Sequence, residues 1–173
     1  MSKYIKDLGH YTSEMAKSIE DKLWFLDCDE IMDTIPKGIL DYGCADGTVL
    51  RQVIPLFQTL VGYDHSKQMI VAALTKITGF LADNNLPREL ALVHQVEDLM
   101  SNMYKDKITI FNLSSILHEL YNQPVMERIK LFGIIAKINP EYITIRDMIC
   151  CTKNYNLKKT IKPGAPFDTL HTA

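Results

Sequence analysis

The stretch ILDYGCADGTVL, from Ile39 to Leu50, ends an apolar run on a carboxylate, Asp41, and follows it with a turn of small residues, Gly43, Ala45 and Gly47. Such a turn lets a ligand approach the backbone. On its own it also fits a tight strand-to-helix turn that binds nothing. A second carboxylate sharpens the reading. Asp64 closes the run LVGYD, about twenty residues beyond the turn, where an acid suits the two hydroxyls of a ribose. Asp41 separates two kinds of nucleotide ligand. A dinucleotide would bring a pyrophosphate to this turn, where a carboxylate repels it; a ligand carrying an ammonium and a sulfonium is attracted instead. The third glycine of the dinucleotide pattern G-x-G-x-x-G is missing, which counts against a nicotinamide dehydrogenase.

Other side chains suit acid–base work. In FNLSSILHELY, His118 and Glu119 follow Ser114 by four and five residues, in the first turns of a helix. His118 is a candidate general base or a group that orients an acceptor; its plainer role is a helix-start histidine bonded to nearby backbone. HELYN lacks the second histidine of H-E-x-x-H, so a zinc protease is rejected and no metal is expected. Glu97 and Asp98 read equally as ligand contacts or as a solvated loop and helix cap. Arg146 and Asp147, neighbours at the end of the last strand, face the substrate side or pair with each other, and pairing is preferred.

These residues must be carried by a βαβ scaffold. Strand-like runs are GILDYG, TLVGYD, LALVHQ, ITIFNLS and EYITIRDM. Between them lie TVLRQVIPLF, which Pro55 should end or kink, SKQMIVAALTKITGFLADN with Ser66 as N-cap, and SSILHELYNQPVMERIKLFGIIAKI, broken at Pro124. Alternation of this kind means a parallel sheet covered on both faces. Ahead of it, TSEMAKSIEDKLWFLD has the spacing of an amphipathic helix capped by Thr12 or Ser13, and DEIMDTI is a second helical piece.

The chain has 173 residues, one domain's worth, and is 47% hydrophobic with a net charge of −2. No basic patch announces nucleic-acid binding, although the charge does not exclude it. No apolar run is long enough to span a membrane, and the first residues have no signal-peptide core. Cys28, Cys44, Cys150 and Cys151 lack C-x-x-C spacing, so reduced thiols and a cytoplasmic setting are expected.

ILDYGCADGTVL followed by LVGYDHSKQMI resembles the first two motifs of class I S-adenosylmethionine-dependent methyltransferases, over roughly Ile39 to Met148. The resemblance implies an α/β, three-layer Rossmann-like sandwich, with a mainly parallel sheet in that family's strand order. It implies S-adenosyl-L-methionine as cofactor and S-adenosyl-L-homocysteine as product. It places Asp41 near the amino-acid part of the cofactor, with Gly43, Cys44, Ala45 and Gly47 lining it. Asp64 takes the ribose hydroxyls, and His65 and Met69 lie near the adenine. Where the family often has G-D-A, this chain reads His94-Gln95-Val96; the Gln95 carbonyl and the Val96 backbone serve the adenine instead. Asn112, Leu113 and Ser114 border the cofactor. S-S-x-x-H is frequent at this place in similar enzymes, which makes His118 the catalytic candidate. A leading helix often closes over the cofactor, which draws in Tyr11, Met15 and Lys22. The chain lacks the Asn-Pro-Pro-Tyr type of signature of amino-methylating nucleic-acid enzymes and a clear Lys-Asp-Lys-Glu set.

The expected organisation is a single domain over 1–173: a helical segment over 1–37, a cofactor core over 38–149, and an irregular segment over 150–173. The family's final hairpin is short or missing there, which suggests a truncated form or a need for a partner chain. The leading function is methyl transfer to an acceptor that the sequence does not identify, a small molecule being slightly favoured over RNA or protein. The alternative is a non-catalytic scaffold or activating subunit of a larger methyltransferase assembly.

Overall fold

The computed structural model describes residues 18–32, 38–84 and 89–147. The expectations for Tyr11, Met15, the caps Thr12 and Ser13, Cys150, Cys151 and the segment 150–173 lie outside these residues.

Five strands form one parallel sheet: β1 (Gly38–Tyr42), β2 (Thr59–Tyr63), β3 (Glu89–Val93), β4 (Ile110–Ser114) and β5 (Tyr142–Arg146), in the order β3-β2-β1-β4-β5. All of β1 and β4 is buried, as central strands of a sheet covered on both faces must be. Successive side chains alternate between faces. Ile39 joins Phe25, Leu50, Phe57 and Leu60 on one face, while Leu40 joins Phe111, Leu131 and Ile134 on the other. The first face carries α3 (Thr48–Val53) and α4 (Lys67–Asn84); the second carries α6 (Val125–Ile138), and α5 (Leu117–Tyr121) leads into it. The result is a three-layer α/β sandwich.

Local signals set the boundaries. The α3 helix stops ahead of Pro55, and Pro124 separates α5 from α6. Ser66 caps α4, its hydroxyl accepting the Met69 N–H at 3.4 Å. Asn139 ends α6 in the left-handed region, φ 52°. The leading segment departs from one continuous helix. A single turn, α1 (Ile19–Lys22), passes into a 3₁₀ turn over Trp24–Asp27 and then α2 (Asp29–Met32). The Leu23 N–H divides itself between Ile19 O and Glu20 O, both at 3.1 Å, and the chain tightens there. Tightening sends Phe25 into the core at 0% exposure and leaves Trp24 41% exposed.

Connections run outward in opposite directions from β1 and β4, so a crevice opens beyond their carboxyl ends, where open α/β sheets bind ligands. Among the described residues, no helix is long and apolar enough to cross a membrane, and no group of three or more potential metal ligands forms.

Candidate functional site

The centre of the crevice is Asp41, which faces Gly62 of β2 and Asn112 of β4 in the sheet register. Asn112 Nδ2 donates to Asp41 Oδ1 at 2.7 Å, and Thr144 Oγ1 of β5 donates to Asn112 Oδ1 at 2.8 Å. A file of side-chain hydrogen bonds therefore crosses three strands and ends on the carboxylate. Burial pushes the Asp41 carboxyl up to about 6; the Asn112 hydrogen bond and the charge of Lys22 hold it from going higher. Lys22 reaches this place from α1 and is 4% exposed. Burial lowers its ammonium below the usual lysine range, against the pull of Asp41. With Ile19, Gly43, Ser114 and others, the two line a pocket of about 10 Å³, room for one water. The Ser114 hydroxyl is buried there with no hydrogen-bond partner.

Asn112, expected to border the ligand, is wholly buried behind Asp41 and holds it. Leu113, its neighbour on the strand, points to the opposite core layer, because adjacent strand residues cannot share a face. Ser114 does line the pocket, and so does Lys22.

The turn after β1 is wound tightly. Gly43 (φ 86°), Ala45 (φ 48°) and Gly47 (φ 73°) all take positive φ, a region costly for side chains other than glycine. A Cβ at Gly47 would come within 2.9 Å of Ile77 Cδ1. The Gly43 and Cys44 N–H groups both donate to Tyr63 O, at 2.7 and 2.8 Å. Ala45 N–H donates to Asp64 Oδ2 at 3.0 Å, and Ser66 N–H to Asp64 Oδ1 at 2.8 Å. Asp64 thus ties the β1 turn to the β2 turn.

At the start of α3, the Thr48 N–H and hydroxyl both donate to Asp46 Oδ1, at 3.2 and 2.7 Å. Lys76 of α4 pairs with the other Asp46 oxygen and donates to Thr48 Oγ1 at 2.9 Å. The turn N–H groups are largely spent on the protein itself, which suits a cationic ligand better than a pyrophosphate. Asp46 and Lys76 were not singled out from sequence. The run Asp46-Gly47-Thr48 is a capping signal in its own right, but nothing marks Lys76 as its partner. Cys44 lines the pocket, yet it belongs to the core layer between the sheet and α3 and α4. Burial pushes its thiol well up, so it stays protonated.

On the other side of Gly43 lies an open cleft of about 250 Å³, lined by Tyr42, Tyr63, His65, Ile116 and Glu119 among others. The Tyr42 and Tyr63 rings meet at 4.6 Å. His65 is 74% exposed, with Nδ1 3.7 Å from Asp64 Oδ1. Met69 is buried under the first turn of α4, Gln95 is exposed, and Val96 is half-buried at the start of a 3₁₀ turn over Val96–Met100. Of the four residues expected near an adenine, only His65 lines this cleft. Glu97 and Asp98 are solvent-exposed in that 3₁₀ turn.

At the end of β5, the preferred pairing of Arg146 with Asp147 does not occur. Their side chains leave the strand on opposite sides. Arg146 donates to Ser115 Oγ at 2.7 Å and to Asp21 Oδ2 at 3.4 Å. Asp147 grips His118 twice: Oδ1 lies 2.6 Å from Nδ1, and Oδ2 accepts the His118 backbone N–H at 3.2 Å. His118 lines neither of the two cavities.

No family model matches the sequence, and no curated protein matches it. Solved structures do. The small RNA methyltransferase HEN1 superposes with a TM-score of 0.55 at 14% identity, over 73% of this chain and 16% of that one. The methyltransferase domain of bacterial CtHen1-C gives 0.51 at 13% identity, over 72% and 64% of the two chains. That of CtHen1-CN gives 0.53 at 12%, with the same 72% and 64%. The chain therefore spans less than two thirds of the length of each. At these identities the likeness is one of fold. With five parallel strands in the order β3-β2-β1-β4-β5, the chain has the Rossmann-like fold of the class I S-adenosylmethionine-dependent methyltransferases.

Proposed function

We propose that this chain, as one domain, binds S-adenosyl-L-methionine and catalyses transfer of its methyl group, leaving S-adenosyl-L-homocysteine. The observation that carries the reading is the charge pattern at the carboxyl edge: buried Asp41 and Lys22 around one pocket, an unpartnered Ser114 hydroxyl, and Asp64 on the next strand. The cofactor supplies an electrophilic methyl on a cationic sulfur. The protein's part is to bind, orient and exclude water.

Asp41 takes the ammonium of the amino-acid end, and Lys22 takes its carboxylate. Asp41 and Lys22 bring one acid and one base to the same pocket, which complements a zwitterion. Lys22 must draw aside for this, because the pocket of about 10 Å³ is too small as it stands. The Ser114 hydroxyl gains the partner it lacks. Asp64 has lone pairs beyond those its two backbone donors use, and these take the ribose hydroxyls. Backbone at Gly43, Cys44, Ala45 and Gly47 walls the ligand. His65 faces the adenine in the open cleft, Met69, Gln95 and Val96 are the further adenine contacts, and Asn112 acts through Asp41. His118 serves the acceptor. The net charge of −2 favours a small-molecule acceptor over a nucleic acid.

Calorimetric titration with S-adenosylmethionine, S-adenosylhomocysteine and NAD, on wild type and on Asp41→Asn, tests the reading. Binding of the first two, weakened at least about tenfold by the substitution, is expected. NAD binding, or no binding to a folded chain, overturns it.

A further inference from the structure

We propose that Asp147 is a positioning residue that sets His118 as a general base, with Nε2 as the basic atom, on the β4–β5 side of the pocket. The inference rests on the methyl-transfer reading for its substrate but not for its geometry. A carboxylate only accepts hydrogen bonds, so the contact of 2.6 Å requires the proton on Nδ1. The free lone pair is then on Nε2, which has no partner among the described residues. The second carboxylate oxygen holds the His118 backbone N–H at 3.2 Å, so one side chain fixes both the ring and the start of the helix that carries it. The Asp147 side chain is 13% exposed and the His118 side chain 26%. The acid is sheltered while the ring keeps an open edge.

A chain of contacts links the dyad to the pocket. Ser114 lines the pocket, and the next residue, Ser115, is sewn to β5: its N–H donates to Arg146 O at 2.6 Å, and Arg146 donates to its hydroxyl at 2.7 Å. Asp147 directly follows Arg146. Arg146 also reaches Asp21, the neighbour of pocket-lining Lys22. The elements that carry the dyad, α5 and the end of β5, are therefore bonded to the segments that wall the pocket.

A base in this place defines the acceptor class: a hydroxyl or N–H group that must shed a proton, rather than a thioether or tertiary amine, which has none to give. The acceptor's lone pair forms the bond to the methyl carbon, and the carbon–sulfur bond breaks with its electron pair left on sulfur. The acceptor's proton passes to Nε2. Asp147 steadies the imidazolium until the proton leaves to water. An acid that fixes the tautomer of a catalytic imidazole is known to matter by orders of magnitude in serine proteases.

Long-range proton–nitrogen NMR on the whole chain tests this, with His118→Gln to assign the signal. Wild type should show the Nδ1–H tautomer for neutral His118, Asp147→Asn should shift it towards Nε2–H, and Asp147→Glu should restore it at least in part. A wild-type ring in the Nε2–H form, or a tautomer indifferent to Asp147→Asn, overturns the proposal. Should Asp147→Asn fail to fold, the wild type alone decides: diethyl pyrocarbonate should acylate His118 at a rate within about tenfold of exposed His65, and an inert His118 overturns it. Neither readout needs a cofactor. Titration of the same samples with S-adenosylhomocysteine shows separately whether the methyl-transfer reading stands.

Discussion

Asp41 and Asp64 end neighbouring strands and are both nearly buried, yet the protein holds them by opposite means. Asp64 is gripped by main chain, taking the N–H groups of Ala45 and Ser66. Asp41 is gripped by side chains, through Asn112 and Thr144, with buried Lys22 nearby. The difference separates an acid that the main chain of two turns depends on from one that side chains alone support. Asp64 organises the turns, and removing it should hurt the fold. Asp41 is pushed up to about 6 by burial, against the Asn112 hydrogen bond and the Lys22 charge, so its charge carries a net cost that a bound cation would offset.

The largest effect should come from Asp64→Ala. Two sheltered N–H groups lose their acceptor, at about 1–3 kcal/mol each, so unfolding free energy in denaturant should fall by roughly 2–4 kcal/mol, and S-adenosylhomocysteine affinity by at least about tenfold. A variant as stable as wild type would erase the contrast between the two acids.

Asp41→Asn should move stability and affinity in opposite directions. A folded-state value near 6 against an ordinary 3.8 means that stability is greatest with Asp41 protonated, below about 4, and is lost as pH rises through about 6. The full shift is on the order of 3 kcal/mol; after Lys22 loses its counter-charge, the free protein should gain about 1 kcal/mol at neutral pH. Denaturation of both proteins between pH 4 and 8 should show this gain appearing as pH rises. No gain at neutral pH would place Asp41 with Asp64 as an architectural acid.

The same shift sets how binding responds to acid. A bound ammonium favours the ionised carboxylate, so wild-type affinity should weaken below pH 6, by up to about tenfold per unit. Asp41→Asn should flatten that profile. The smallest effect is expected from Lys22→Met: a loss of roughly fivefold for S-adenosylhomocysteine and little change for methylthioadenosine, which lacks the carboxylate. Equal losses for both would remove Lys22 from carboxylate recognition.

Much of this contrast was legible in the chain. The apolar runs before Asp41 and Asp64 located the strands, and the alternation with helices ordered the elements, because hydrophobic period and turn chemistry are local properties. The site's partners were not local. Lys76 finds Asp46 across 30 residues and Asp147 finds His118 across 29. Only the sheet register, which pairs Asn112 with Asp41 and Thr144, shows that Asn112 acts behind another side chain. The leading helix misled for a related reason: its periodicity is helical, but burying Phe25 while leaving Trp24 outside requires the chain to tighten at Leu23.

The file from Thr144 through Asn112 to Asp41 bears on transplantation. A protein engineer who grafted only the glycine turn and its strand into another sheet would import a buried acid stripped of its supports. The smallest portable unit is the triplet β1, β4 and β5 in register. The lone polar residue at the middle of the edge strand, Thr144, is therefore a remote dial on the acidity of Asp41: a valine there keeps the shape and withdraws the last donor in the file.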